Sequence, residues 1–190
     1  MVRDGGVSMV RAFFALFLTL WLGVSVTLAA SQETEELTSL KATLYAKIVF
    51  LDYEVEKKLV DGKLLFVLLY DTPEALEKAK RFAQAVSHQR VMGHDVVARI
   101  VQIGTKPLPQ ATAYVLFLSD RNLAKEVERL AGKKRLVFVD SPKYLQYGMI
   151  ALDVGTRVVP VINPLFIKRA GIELRPIIFK VAKVWHDQIQ

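Results

Sequence analysis

Cysteine is absent from the 190 residues. Its absence excludes disulfide frameworks, thiol nucleophiles and thiolate metal sites. Stability must then come from a packed core, which a domain of this size can supply. Catalytic signatures are missing as well: the chain contains no G-x-S-x-G, H-E-x-x-H, G-x-x-x-x-G-K-[ST] or G-x-G-x-x-G. Histidine is scarce, with only His88, His94 and His186, and the QRVMG between the first two offers no further strong ligand or metal spacing. No internal repeat, low-complexity tract or interdomain linker is visible. The expectation is a chain with no catalytic residue, no metal site and no cofactor.

What is present begins with an apolar excess, 52% hydrophobic against 24% charged. Much of it lies at the N-terminus, where Arg3 and Arg11 precede an apolar run from Ala12 to Leu28 and small residues follow at Ala29, Ala30 and Ser31. A basic start, a short apolar stretch and a small-residue exit are the parts of a secretory signal peptide, with Met9 as an alternative start. An uncleaved anchor is the competing reading, although a spanning helix needs about 20 apolar residues. The reading is a signal over 1–30, then one exported domain over 31–190 with no membrane span after cleavage. The net charge of +7 suits a solvated basic face, with an anionic membrane surface or an acidic partner as the functional alternatives; export argues against nucleic acid.

Apolar runs alternate with amphipathic ones through the rest. LTSLKATLYAKIVFL places Leu37, Leu40, Leu44, Ile48 and Leu51 on one helical stripe. GKLLFVLLYD, DVVARIVQI, AYVLFLSD and RLVFVD read as strands, the first apolar enough to be buried on both faces. Helices are expected over DTPEALEKAKRFAQAVSH, RNLAKEVERLAGK, PLFIKRAG and PIIFKVAKVWHDQ. The pattern predicts an α/β layered domain with a largely parallel sheet, helices on both faces, and an antiparallel hairpin over about 149–162 at the sheet edge.

That hairpin, YGMIALDVGTRVVPVINP, is the most patterned stretch. Gly155-Thr156 fits a two-residue turn with positive φ at Gly155, which would set Leu152 opposite Val159 and Ile150 opposite Val161. Pro160 then falls where its missing N–H points away from the partner strand, marking an edge. Asn163, following Ile162, is placed to cap the helix starting at Pro164, with Gly171 closing it. Asp71, Asp120 and Asp140 end predicted strands, where α/β domains place their sites, yet each also precedes a helix or turn, where Asp is a favoured cap.

The stretch from Tyr147 to Val184 resembles the YfiR-like family of small periplasmic proteins. The resemblance is carried by Gly148, Met149 and Ile150, by Ile162 and Asn163, and by Ala170, Gly171 and Ile172, with Lys41, Ala42, Leu44 and Tyr45 matching the family's first helix. It implies an exported, non-catalytic α/β domain, often a homodimer. In the best-known branch that domain restrains a membrane-bound diguanylate cyclase through the enzyme's periplasmic portion. Here the cysteines of that branch are missing, so disulfide control cannot operate; Leu51-Asp52 replaces its aromatic-Pro step and ELRPII its Ser-rich approach to the last helix. The resulting expectation is a regulatory protein binding a membrane-bound signalling protein, with Ile177, Ile178 and Trp185 of the last helix, or the hairpin edge, as partner surface. The alternative is a small-molecule binding or sensor module with its cleft at Asp71, Ser119 and Asp140.

Overall fold

The computed structural model describes residues 35–119 and 129–186. The chain divides into two compact units, Met1–Thr38 and Ser39–Gln190. Of the first, only 35–38 are described, and they are helical. The expected signal segment, Asp120, most of the helix after it and the last four residues lie outside the described residues.

In the second unit, helix α1 covers residues 39–49 and a short α2 covers Val55–Lys58. Strand β1 (Leu64–Tyr70) leads into α3 (Pro73–Val86). Strands β2 (Arg90–Val91), β3 (His94–Gln102) and β4 (Ala113–Phe117) follow, then the end of a helix, α4, at 129–131. After β5 (Leu136–Val139) comes a 3-10 helix, Pro142–Tyr147, and the β6 (Ile150–Val154) and β7 (Val158–Ile162) pair. Helices α5 (Pro164–Arg169) and α6 (Ile177–Val181) and strand β8 (Lys183–Val184) complete it.

The strands form one sheet in the order β2-β3-β1-β4-β5-β6-β7-β8. Strands β3, β1, β4, β5 and β6 run parallel, while β2 and β7 are antiparallel to β3 and β6. The mixed α/β class and largely parallel sheet are those the alternating pattern predicts. Every residue of β4 and β5 is buried, as continuous apolar runs require when both faces are covered. The chain leaves β1 to build β3 on one side and returns to build β4 on the other. The strand order therefore reverses at β1/β4, where open α/β sheets form a crevice at the carboxyl ends.

Local chemistry sets the element ends. Thr72 caps α3, its hydroxyl accepting from the Ala75 N–H at 3.2 Å. Gly171, at φ +63, closes α5: its N–H donates to Lys168 O and the Ile172 N–H to Ile167 O, the paired bonds of a Schellman motif. Gly148 is needed for space instead, because a Cβ there would lie 2.6 Å from Val139 Cγ1 and 3.2 Å from Val137 O.

Several expectations are corrected. The buried face of α1 carries Ala42, Tyr45, Ala46 and Val49, while Leu40 is exposed. The two alanines let the helix approach closely, and Tyr45 seats itself on Phe138 with ring centroids 4.3 Å apart. Of the expected stripe, Ile48 is in the core and Leu44 and Leu51 pack against it half-buried, so the buried face is rotated toward Tyr45 and only its Leu40 end is turned out. In the β6/β7 hairpin, Leu152 faces Pro160 and Ile150 faces Ile162, one residue off the expected register. The connection is the three residues 155–157, and Gly155 is not in the positive-φ region. A two-residue turn with both central φ positive joins β2 to β3 instead, at Met92 (φ 51) and Gly93 (φ 90).

Pro160 nonetheless keeps its outward position. The Asn163 N–H bonds Met149 O at 2.8 Å, and bonded pairs alternate from there, so Leu152/Pro160 is a non-bonded pair. The hairpin is not outermost throughout, since β8 pairs in parallel with Val161 and Ile162 beyond Pro160. The last expected helix is five residues long and gives way to β8. Ala182, in extended backbone, is its C-cap.

Candidate functional site

Two regions collect side chains with chemical or binding potential. The first is at the carboxyl ends of β1, β4 and β5. Asp71 accepts from the Ser119 N–H at 3.0 Å and from its hydroxyl at 2.9 Å, so these two groups tie β1 to β4 across the switch point. Asp140, after β5, is approached from two helices. Lys78 of α3 pairs with its Oδ2 at 3.2 Å, and Lys41 of α1 donates to its main-chain oxygen at 3.1 Å. Its Oδ1 is buried with no hydrogen-bond partner among the described residues.

This geometry perturbs protonation. Burial pushes the Asp140 carboxyl above the ordinary carboxylate range, partly offset by Lys78, Lys41 and Lys143. Burial holds the Lys41 ammonium below the usual lysine range; Asp140 opposes that and Lys78 adds to it. Burial, with the Asp140 charge added, pushes the Tyr45 phenol upward, and its hydroxyl donates to Val139 O at 2.7 Å. Lys41 and Lys78 escape a reading of strand ends because they sit on helices. The spacing does contain a signal: Lys41 is four residues before the buried Tyr45 and Lys78 four before the buried Phe82, so both share the core-facing rows.

Asp140→Asn tests the charge at this site through pH. Because the folded pKa lies above the unfolded one, the proton is bound more tightly in the folded state. The resulting stabilisation is present below the unfolded pKa and is lost as pH rises through the folded value. Asparagine cannot titrate, so the variant gains stability relative to wild type as pH rises from below the ordinary carboxylate range through the raised folded value. The half-exposed Lys78 loses a pair worth little. Thermal melts across that range would refute the assignment if the two proteins kept a constant difference.

A separate shallow depression of about 180 Å³ lies at the opposite end of the sheet, lined by Leu108, Pro109, Tyr114 and Arg135 among others. Two of its polar groups are engaged locally, Tyr114 Oη donating to Pro109 O and Arg135 Nε to Ala111 O, both at 2.9 Å.

The second region is the C-terminal face. Ile177, Phe179, Val181 and Val184 are 51, 49, 55 and 48% exposed. Of the residues expected there, Ile178 is only 1% exposed and belongs to the core. Trp185 is half-buried, packs against the core, and donates its N–H to Ile162 O at 2.8 Å. With a short helix followed by a strand, the apolar residues no longer share one helical stripe, and Phe179 and Val184 take the exposed places. Tyr53, also exposed, lies near this segment, its N–H bonded to Glu173 O.

The motif residues are structural. Asn163 is buried, accepts from the Phe166 N–H at 3.1 Å and donates to Leu145 O at 2.8 Å, so it caps α5 while holding the 3-10 helix. Met149, Ile150 and Ile162 are fully buried. His94 contacts Gly62 O at 2.9 Å and stacks on Phe50. Among the described residues no three of His, Asp or Glu gather as a metal site, and no helix is long and apolar enough to cross a membrane.

No family model matches the chain, and no curated protein matches it. Among solved structures it is similar to the ABC domain in complex with L-Trp from Streptococcus pneumonia, at 11% identity and a TM-score of 0.45. The match covers 73% of this chain and spans 62% of that one.

Proposed function

We propose that the protein is an exported, non-catalytic regulatory protein that acts in the periplasm by binding another protein. The partner class implied by the YfiR-like resemblance is a membrane-bound signalling protein such as a diguanylate cyclase. One observation carries the binding part of this reading. Ile177, Phe179, Val181 and Val184 stand exposed on a single short stretch of chain at the sheet edge, and clustered exposed apolar side chains mark interaction sites. Phe179→Asp leaves the core untouched and should abolish regulation. Deleting the gene is expected to raise cellular cyclic-di-GMP, which the wild-type gene restores and the Phe179→Asp gene does not. Unchanged cyclic-di-GMP on deletion would rule out the cyclase as partner.

A second reading, a small-molecule binding module, is favoured by the unpartnered Asp140 Oδ1 within reach of Lys41 and Lys78. Against it, Asp71 and Ser119 satisfy each other across the switch point. The protein-binding reading therefore stands first.

A further inference from the structure

The same C-terminal face carries information on the chemistry of its partner, an inference that rests on the protein-binding reading above. Ile162 pairs with Val184, and the Trp185 N–H is the one that reaches Ile162 O. Main-chain groups alternate in direction along a strand, so the N–H and C=O of Val184 point away from β7, and among the described residues no further strand follows β8 in the sheet. An open strand edge of this kind is a template for a further strand.

Charge is concentrated on the same part of the chain. Residues 155–186 hold Arg157, Lys168, Arg169, Arg175, Lys180 and Lys183 against the single acid Glu173, a net +5 out of +7 for the whole chain. Lys183 pairs with Asp153 at 2.8 Å, but both side chains are about half-exposed, so an incoming carboxylate can compete for it at little cost.

We propose that this face takes an acidic segment of another protein, bound in extended form as the strand beyond β8. Apolar side chains of the segment lie against Ile177 and Val181, one turn apart on α6, and its carboxylates meet Arg175, Lys180 and Lys183. A second copy of this chain would bring the same positive charge. A membrane surface would meet the charge and the apolar side chains, but it offers no backbone groups to the edge at Val184.

The test uses the full chain and a blocked peptide of alternating glutamate and valine, with a lysine–valine peptide as control. Anionic vesicles of phosphatidylglycerol and phosphatidylethanolamine form a separate arm, and sedimentation without ligand another. The acidic peptide should bind, and raising salt from about 20 to about 200 mM should weaken it about tenfold. Lys180→Glu, at an exposed position, should weaken it by a similar factor. Val184→Pro removes the outward N–H, which bonds nothing among the described residues, and should abolish binding with the melting temperature retained, whereas Val184→Ala, which trims the side chain and keeps the N–H, should still bind.

Equal binding of the basic peptide, full binding by Val184→Pro, binding to vesicles alone, or self-association in place of peptide binding would each overturn the proposal. The two readings fail separately. If Val184→Pro restrains cyclic-di-GMP as well as wild type does, the added strand is wrong and regulation stands; if the peptide binds but deletion leaves cyclic-di-GMP unchanged, the reverse holds.

Discussion

Lys58→Met should lower the free energy of unfolding by about 3–5 kcal/mol. Lys58 Nζ lies 2.5 Å from Asp52 Oδ2, with the two side chains only 6 and 3% exposed. Asp52 Oδ1 also accepts the Glu54 N–H at 2.9 Å. Removing the ammonium leaves a carboxylate buried without its counter-charge, and the desolvation that the pair had offset is then uncompensated. Glu54, whose carboxylate lies 4.0 Å from Nζ and is half-exposed, leaves a second negative charge near Asp52 once the ammonium is gone.

The double variant Asp52→Asn/Lys58→Met removes both charges and keeps an acceptor for Glu54, so it should recover at least about half of the loss. Urea unfolding of the three variants measures this, and a loss below about 1 kcal/mol for Lys58→Met would show that the pair is solvated. The consequence reaches the C-terminal face. Asp52 bridges Leu174, Tyr53 N–H bonds Glu173 O and Arg175 N–H bonds Leu51 O, so the corner held by the ion pair is the seat of the segment leading into α6.

Tyr45→Ala is expected to destabilise by a similar amount, about 3–5 kcal/mol, and Tyr45→Phe by about 1 kcal/mol. The ring is 1% exposed, stacks on Phe138 and lies 6.0 Å from Phe82, which itself meets Phe66 and Phe117 edge-on. Deleting it opens a cavity where α1, α3 and the sheet converge. Phenylalanine keeps the ring and loses the hydroxyl's main-chain bonds, the one donated to Val139 O and the one with Leu152, which set the smaller cost. Denaturant titration separates the two; equal losses would mean that the hydroxyl, not the ring, anchors α1. The position also bears on Asp140, because α1 carries Lys41 one turn earlier.

How much of this was legible from the sequence varied with the distance over which the deciding interactions act. The central strands could be read from runs such as LLFVLLY and LVFV, because burial on both faces leaves no room for polar residues. The strand-end aspartates Asp71 and Asp140 were legible for the same reason, as the first polar residue after each run. The cap at Asn163 and the stop at Gly171 followed from residue type, since the atoms that satisfy the backbone there are within a few residues. The Asp52–Lys58 pair was not legible: six residues apart, with Glu54, Glu56 and Lys57 between them, they look like any solvated charge run. The exposed set on the C-terminal face was misread because a periodicity of 3.6 was assumed through Ala182, where the backbone turns extended.

By itself, the sequence determined the α/β class, the order of the central strands and helices along the chain, and the local punctuation that starts and stops them. Each of those depends on hydrophobic period or on hydrogen bonds closed within one turn. The tertiary structure alone decided which face of α1 is buried, the one-residue register of the β6/β7 pair, the addition of β8 beside Pro160, and the meeting of Lys41, Lys78 and Asp140. Those outcomes depend on contacts between residues far apart in the chain, Lys41 and Asp140 being 99 positions apart. Side-chain volumes and backbone phase at such contacts are settled only when the layers pack.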